Sequence, residues 1–248
     1  WLVNCLVPAK LGDLYRAWLL KFNSTASLSR TFGTVFIERV LDLIAIAILG
    51  LGAGFWSFRT GLPTEIQFVS ALGVAVVIGL VLGLVTLRNF GRRVIAALPL
   101  PGRVLELYDR FEEGVFLAVG RRALPILGVV TVGIWATEAL RLYLVVAALG
   151  FQDVSLGLSG AAFVALIGSL LTAVPLSPAG LGVVELGVVG ILVTAYGVPI
   201  TEATTIALVD RTISVFSIVV LGSLAYAVSP KRRGAGLRAP AGATGPGG

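Results

Sequence analysis

Thr34-Val-Phe-Ile-Glu38-Arg39-Val-Leu-Asp42-Leu-Ile-Ala-Ile-Ala-Ile-Leu-Gly50-Leu-Gly-Ala-Gly-Phe-Trp56 is an apolar run with three charges gathered near its start. As a helix it measures about 34 Å at 1.5 Å per residue, enough to cross the hydrocarbon of a bilayer. Arg39 then lies roughly 8 Å inside the span. An ionised side chain at that depth is costly, so such groups face a protein interior or a wet cavity and pair with one another. The stretch therefore predicts a transmembrane helix with a polar inner side.

The rest of the chain repeats the theme. Further apolar runs lie at 41–57, 66–87, 123–148, 156–175 and 200–228, with a shorter one at 183–197. Two more mixed-charge groups sit within them: Glu138 with Arg141, and Asp210-Arg211 with Glu185 nearby. Hydrophobic residues make up 57% of the 248 and charged residues 13%, against about a quarter charged in soluble domains. The runs are rich in Gly and Ala and lack the two-residue alternation a barrel needs. The fold class expected is all-α, a polytopic transmembrane helix bundle.

The net charge of +6 is most informative by its placement. Lys10, Arg16, Lys21 and Arg30 precede the first span, seven arginines from Arg88 to Arg122 fill the segment after the second, and Lys231, Arg232, Arg233 and Arg238 follow the last. The connections near 58–65 and 149–155 are nearly free of cations. By the positive-inside rule the basic regions, and with them the C-terminus, are cytoplasmic in a multi-pass cell-membrane protein. No soluble basic module points to nucleic acid. Cys5 is the single cysteine and there is no histidine, so neither a thiolate cluster nor an imidazole metal site is expected, and no metal or cofactor is assigned. Proton coupling would fall to carboxylates. No Gly-rich nucleotide loop appears.

Residues 1–229 read as one integral membrane domain and 230–248, rich in Gly, Pro and Ala, as a disordered cytoplasmic tail. With Trp1 at the start and no methionine anywhere, further N-terminal spans are expected upstream. Between the second and third spans, Val104 to Leu117 alternate apolar with charged residues at helical spacing, an amphipathic helix at the interface or in the cytoplasm.

Two segments break the hydrophobic pattern. Residues 1–30 are interrupted by Pro8 and Gly12, and Ala173 to Gly182 carries two prolines and two glycines. Irregular backbone at membrane depth must be buried in protein or line a cavity, so broken or re-entrant helices are expected at both. The two breaks head similar sequences. Val7-Pro8 and Leu11-Gly12 parallel Val174-Pro175 and Leu181-Gly182, with about three residues more in the second copy. Glu38-Arg39 parallels Asp210-Arg211, and Leu49-Gly50 parallels Leu221-Gly222, at an offset of 172. Counting spans between them puts the copies in opposite orientations, an inverted repeat of the kind on which many transporters are built.

The stretch Pro8-Ala-Lys-Leu-Gly-Asp-Leu-Tyr-Arg-Ala17, then Glu38-Arg39-Val-Leu-Asp42, Gly180-Leu-Gly-Val-Val-Glu185 and Arg211 resembles the lysylphosphatidylglycerol synthase transmembrane-region family, over residues 1–228. Lys10 stands where that family usually has Arg. The resemblance implies a helical membrane domain that moves a lipid between leaflets. No aminoacyl-transferase domain follows Ser229 in this sequence, so the chain is read as a lipid translocator rather than an enzyme, with no catalytic residue assigned.

The substrate site expected from depth and pairing comprises Asp13, Arg16, Glu38, Arg39, Asp42, Glu185 and Arg211. The arginines would handle an anionic headgroup, since guanidinium forks match phosphate, while the acids set their rotamers. Asp13 and Arg16 share a helix face, Glu38 and Asp42 flank Arg39, and Glu185 can meet Arg211 across the two copies. Glu138 and Arg141, three apart, are expected to neutralise each other as a structural pair. The partner is membrane lipid, with a second copy or a lipid-modifying enzyme as further partners. Rival readings are a transferase acting on a polyprenyl phosphate or phospholipid with a divalent ion, and a helper subunit whose charges bind a partner helix.

Overall fold

The computed structural model describes residues 11–23, 27–59, 61, 64–120, 123–152, 154–172 and 180–228. The proline-bearing breakers at Val7-Pro8 and Val174-Pro175, and the 230–248 tail, lie outside the described residues. Among those described the chain is helical and contains no strand. The helices are α1 (Leu11–Asn23), α2 (Leu28–Ser57), α3 (Thr64–Thr86), α4 (Arg92–Ala97), α5 (Gly102–Ala118), α6 (Ala123–Leu149), α7 (Leu158–Leu171), α8 (Val183–Tyr196) and α9 (Ile200–Val228). A π-helical turn, Leu87–Gly91, joins α3 to α4.

Local signals explain the ends. Ser27 caps α2 by accepting from the Arg30 N–H at 3.3 Å, and α2 thus begins six residues before the apolar run does. Gly197, left-handed at φ 65°, stops α8 and is followed by Pro199. Gly182 at φ 87° precedes α8, and its N–H is accepted by Glu185 Oε2 at 2.6 Å, three residues on.

Helix α2 is the spine. It packs against α1, α3, α5 and α7, and α7 in turn carries α6 and α8, with α9 closing on α8 and α6. Glycines set the closest approaches. A Cβ at Gly54 would stand 2.9 Å from the Phe163 ring, and one at Gly50 would touch Leu166, so α2 and α7 run antiparallel. Gly160 faces Tyr196 and Gly168 faces Val188, so α7 and α8 are antiparallel too. A three-residue turn then sends α9 back. Helix α9 therefore runs opposite to α2.

The amphipathic segment is more than a surface connector. Gly33 and Gly114 let α2 and α5 meet backbone to backbone, against Phe111 and Arg30 respectively. Val115 is fully buried with Ile37 and Val40, and Phe111 contacts Phe32 and Phe36. The larger core gathers Leu142, Val146, Phe163, Val164, Leu192 and Ile206 from α6 to α9.

Among the described residues three helices, Gly73–Ala97, Ala123–Leu149 and Ile200–Val228, are long and apolar enough to cross a membrane. Large apolar side chains such as Val129, Phe216, Leu82 and Leu221 point outward, each more than half exposed. In water such a surface would drive aggregation. Against lipid tails it is simply solvated. The expected runs at 156–175 and 183–197 are realised in helices of 14 residues each, shorter than a full span.

Candidate functional site

Two charged clusters lie toward the open ends of the helix hairpins, away from the turns that close them. In the first, the Arg39 guanidinium forks onto Asp13, with Nη2 to Oδ1 at 2.8 Å and Nε to Oδ2 at 3.0 Å. Its remaining Nη1 reaches Asp42 Oδ2 at 3.5 Å. Arg16 Nη1 donates to Glu38 Oε1 at 2.8 Å. Glu38 therefore binds the arginine of α1 and not its neighbour Arg39, and the expected lock of Arg39 between two acids is made by Asp13 and Asp42. Helical rotation explains it: adjacent residues point about 100° apart, whereas Arg39 and Asp42 share a face.

The second cluster joins α6, α8 and α9. Arg141 forks onto Asp210, Nε to Oδ1 at 2.8 Å and Nη2 to Oδ2 at 3.1 Å, and its Nη1 meets Glu138 Oε2 at 2.7 Å. The expected Glu138–Arg141 pair exists, but it is one arm of an interhelical triad and not an isolated neutralisation within one helix. Arg211 Nε donates to Glu185 Oε1 at 3.3 Å, joining α9 to α8. The same Glu185 holds the Gly182 N–H with its other oxygen, so one carboxylate both starts α8 and steers Arg211. Gly180, at φ 73°, brings the backbone against the arginine. A Cβ there would stand 3.6 Å from Arg211 Nη2 and 2.9 Å from Val184.

The clusters share a design and differ in access. Each holds three carboxylates and two guanidinium groups. Adding 172 to Asp13, Glu38 and Arg39 gives Glu185, Asp210 and Arg211, and both acid–arginine pairs are separated by 26 residues. The same increment carries the start of α1, Leu11, to the start of α8, Val183, and that of α2, Leu28, to that of α9, Ile200. In each hairpin the acid is the third residue of the short helix and the arginine the twelfth of the long one. This register needs no insertion, shifts the Leu11-Gly12 match by two residues from Leu181-Gly182 and gives up the match of Val7-Pro8 with Val174-Pro175. Arg16 and Glu38 are 54% and 34% exposed, whereas Arg211 and Glu185 are each 15% exposed. The first cluster is open at its Arg16–Glu38 edge, and the Glu185–Arg211 pair of the second is the more covered.

All seven residues expected at the substrate site fall in these clusters, six of them paired across helix–helix contacts. Asp210 is the member the sequence reading left out. Its signal was present, since it stands at the register of Glu38. Burial and the Gly180 approach to Arg211 depend on tertiary packing and had no such signal. Among the described residues no group of three or more His, Cys, Asp or Glu is arranged to hold a metal ion.

Comparison with known proteins places this geometry in context. The family described as Lysylphosphatidylglycerol synthase TM region matches residues 1–222. UPF0104 membrane protein MJ1078 of Methanocaldococcus jannaschii is 36% identical over 90% of this chain and 92% of its own length. A UPF0104 membrane protein of Methanothermobacter thermautotrophicus is 29% identical over 86% of this chain and 66% of its own. Glycosyltransferase AglD of Haloferax volcanii is 26% identical, and there the match spans 82% of this chain but 38% of that protein. No solved structure matches the chain at a significant level.

Proposed function

The chain belongs to the lysylphosphatidylglycerol synthase transmembrane-region family, and from that premise we propose that it carries an anionic lipid headgroup between the leaflets of the cell membrane. The observation that carries this reading is the recurrence of one acid–arginine pair at one register in two hairpins of opposite direction. Hairpins so related form an inverted repeat, and rocking one against the other exposes a central site to each side in turn. The basic ends then lie in the cytoplasm, together with the C-terminus.

Each arginine is held by carboxylates, so a lipid phosphate binds by displacing one of them. Arg211 gives up Glu185 and takes the phosphate, and Glu185 keeps its bond to the Gly182 N–H. Exchange of one anion for another keeps the net cost small in both directions, which passage requires. Arg39, Arg16 and their acids form the equivalent station nearer the open edge. A chemically different reading is a transferase acting on a lipid phosphate, and the relative named a glycosyltransferase favours it.

The test is leaflet exchange of a fluorescent anionic phospholipid in liposomes containing the purified protein. Arg211→Ala and Arg211→Lys are both expected to lower the rate at least tenfold while the protein stays folded, because lysine cannot fork onto phosphate. Wild-type protein that moves no lipid, but transfers a sugar or phosphoryl group when a divalent ion is added, would replace translocation with the transferase reading.

A further inference from the structure

We propose that the arginine-rich segment that follows α3, from the π turn through α4 to the first turn of α5, is a docking surface for anionic phospholipid headgroups of the leaflet it adjoins, separate from the two charged clusters. From residue 66 to residue 105 the chain contains no acid, while Arg88, Arg92, Arg93 and Arg103 crowd into the end of that stretch. All four are exposed. Arg93 and Arg103 make no ion pair among the described residues, and Arg88 lies over the Phe116 ring at 5.8 Å.

Exposed apolar groups are interleaved with them: Phe90, Val94, Leu98 and Leu100. Gly73–Ala97 is one of the three described segments long and apolar enough to cross a membrane, and crossing there puts this end at headgroup depth. Arginines beside outward apolar side chains at that depth are suited to hold phosphates while the apolar groups enter the acyl region. Both features point to one occupant, an anionic lipid in the bilayer.

The surface is built, not loose. The Tyr108 hydroxyl donates to the Leu87 carbonyl at the start of the π turn, at 3.0 Å. Gly91 admits the Tyr108 hydroxyl where any Cβ would collide. Arg92 Nε binds Asp109 at 3.0 Å and ties α4 to α5, and Glu113 of α5 is occupied by Arg30. The neighbouring acids Glu106 and Glu112 lie further along α5, so the cationic side of the surface is the π turn and α4, with Arg103 at the first turn of α5.

The purified full chain would be placed in nanodiscs of phosphatidylcholine with a minority of phosphatidylserine. Lipid retained on the protein after mild detergent extraction is then counted by native mass spectrometry. Wild type is expected to enrich phosphatidylserine, and Arg88→Gln/Arg93→Gln/Arg103→Gln to lose most of that enrichment. Each arginine contributes about fivefold, the equivalent of about 1 kcal/mol per cation near an anionic surface. Arg39 and Arg211 are intact in both proteins, so the difference reports this surface alone. Should the triple variant misfold, Arg93→Gln alone is expected to give the single fivefold loss. No enrichment by wild type, or full enrichment by the folded variant, overturns the proposal.

Discussion

Arg141 shows how much rests on single side chains. Its guanidinium spans Glu138 and Asp210, and side chains 22%, 31% and 16% exposed leave little water to replace a lost partner. Arg141→Ala strands two acids and is expected to cost about 3 kcal/mol in reversible unfolding in detergent, whereas Arg141→Ala/Asp210→Ala recovers part of it, because the desolvated partner is gone. Tyr108 offers a second measurement. Burial first, then Glu112 and Asp109, holds its phenol above the ordinary value of 10.0. The folded state thus favours the protonated phenol that donates to Leu87. That contribution is full below about pH 10 and is lost as pH rises through the raised folded value. Tyr108→Phe should lower stability by about 1 kcal/mol near neutrality, and wild type should lose this advantage at high pH. Equal pH profiles for the two proteins would refute the role.

At the level of elements, the α2–α5 contact is a backbone contact, and its test is a methyl group. Gly33→Ala places Cβ against the Phe111 carbonyl and Gly114→Ala places one against Arg30. Neither backbone can swing aside as a side chain would. Each substitution is expected to destabilise the protein by about 1–3 kcal/mol, measured as a lower thermal midpoint in detergent. Gly79→Ala, in open space on α3, should be neutral or better. The same contact explains a limit of reading periodicity. The apolar face of 102–118 was legible as amphipathic, but an interfacial helix and a helix packed on a neighbour carry the same pattern. What separates them is Gly33, and a glycine in an apolar helix does not announce which helix comes close to it.

For the whole molecule, two hairpins in opposite senses require that the C-terminal ends of α2 and α9 lie on opposite sides of the membrane from each other. With Cys5→Ser as background, Gly61→Cys and Val228→Cys should react with an impermeant maleimide from opposite faces of oriented vesicles. Labelling of both from one face would sink the inverted arrangement. The difference in access between the clusters makes a related expectation. A lipid phosphate analogue should first perturb Arg16 and Glu38, whose edge is open, and Arg16→Gln should slow entry more than it weakens binding at Arg211.

Helical class, membrane residence and all but one of the charged residues that gather in the two clusters were legible in the chain alone, because burying charge in an apolar span is costly enough that such residues stand out wherever they occur. The 172-residue register was likewise present in the order of Asp13, Glu38 and Arg39 against Glu185, Asp210 and Arg211. Only the tertiary structure decided which acid holds which arginine. Ion pairing across helices depends on azimuth and on how closely backbones approach, and both follow from glycine contacts between segments far apart in sequence. Asp210 therefore went to Arg141 and Glu185 to Arg211, a choice that local spacing left open and packing made.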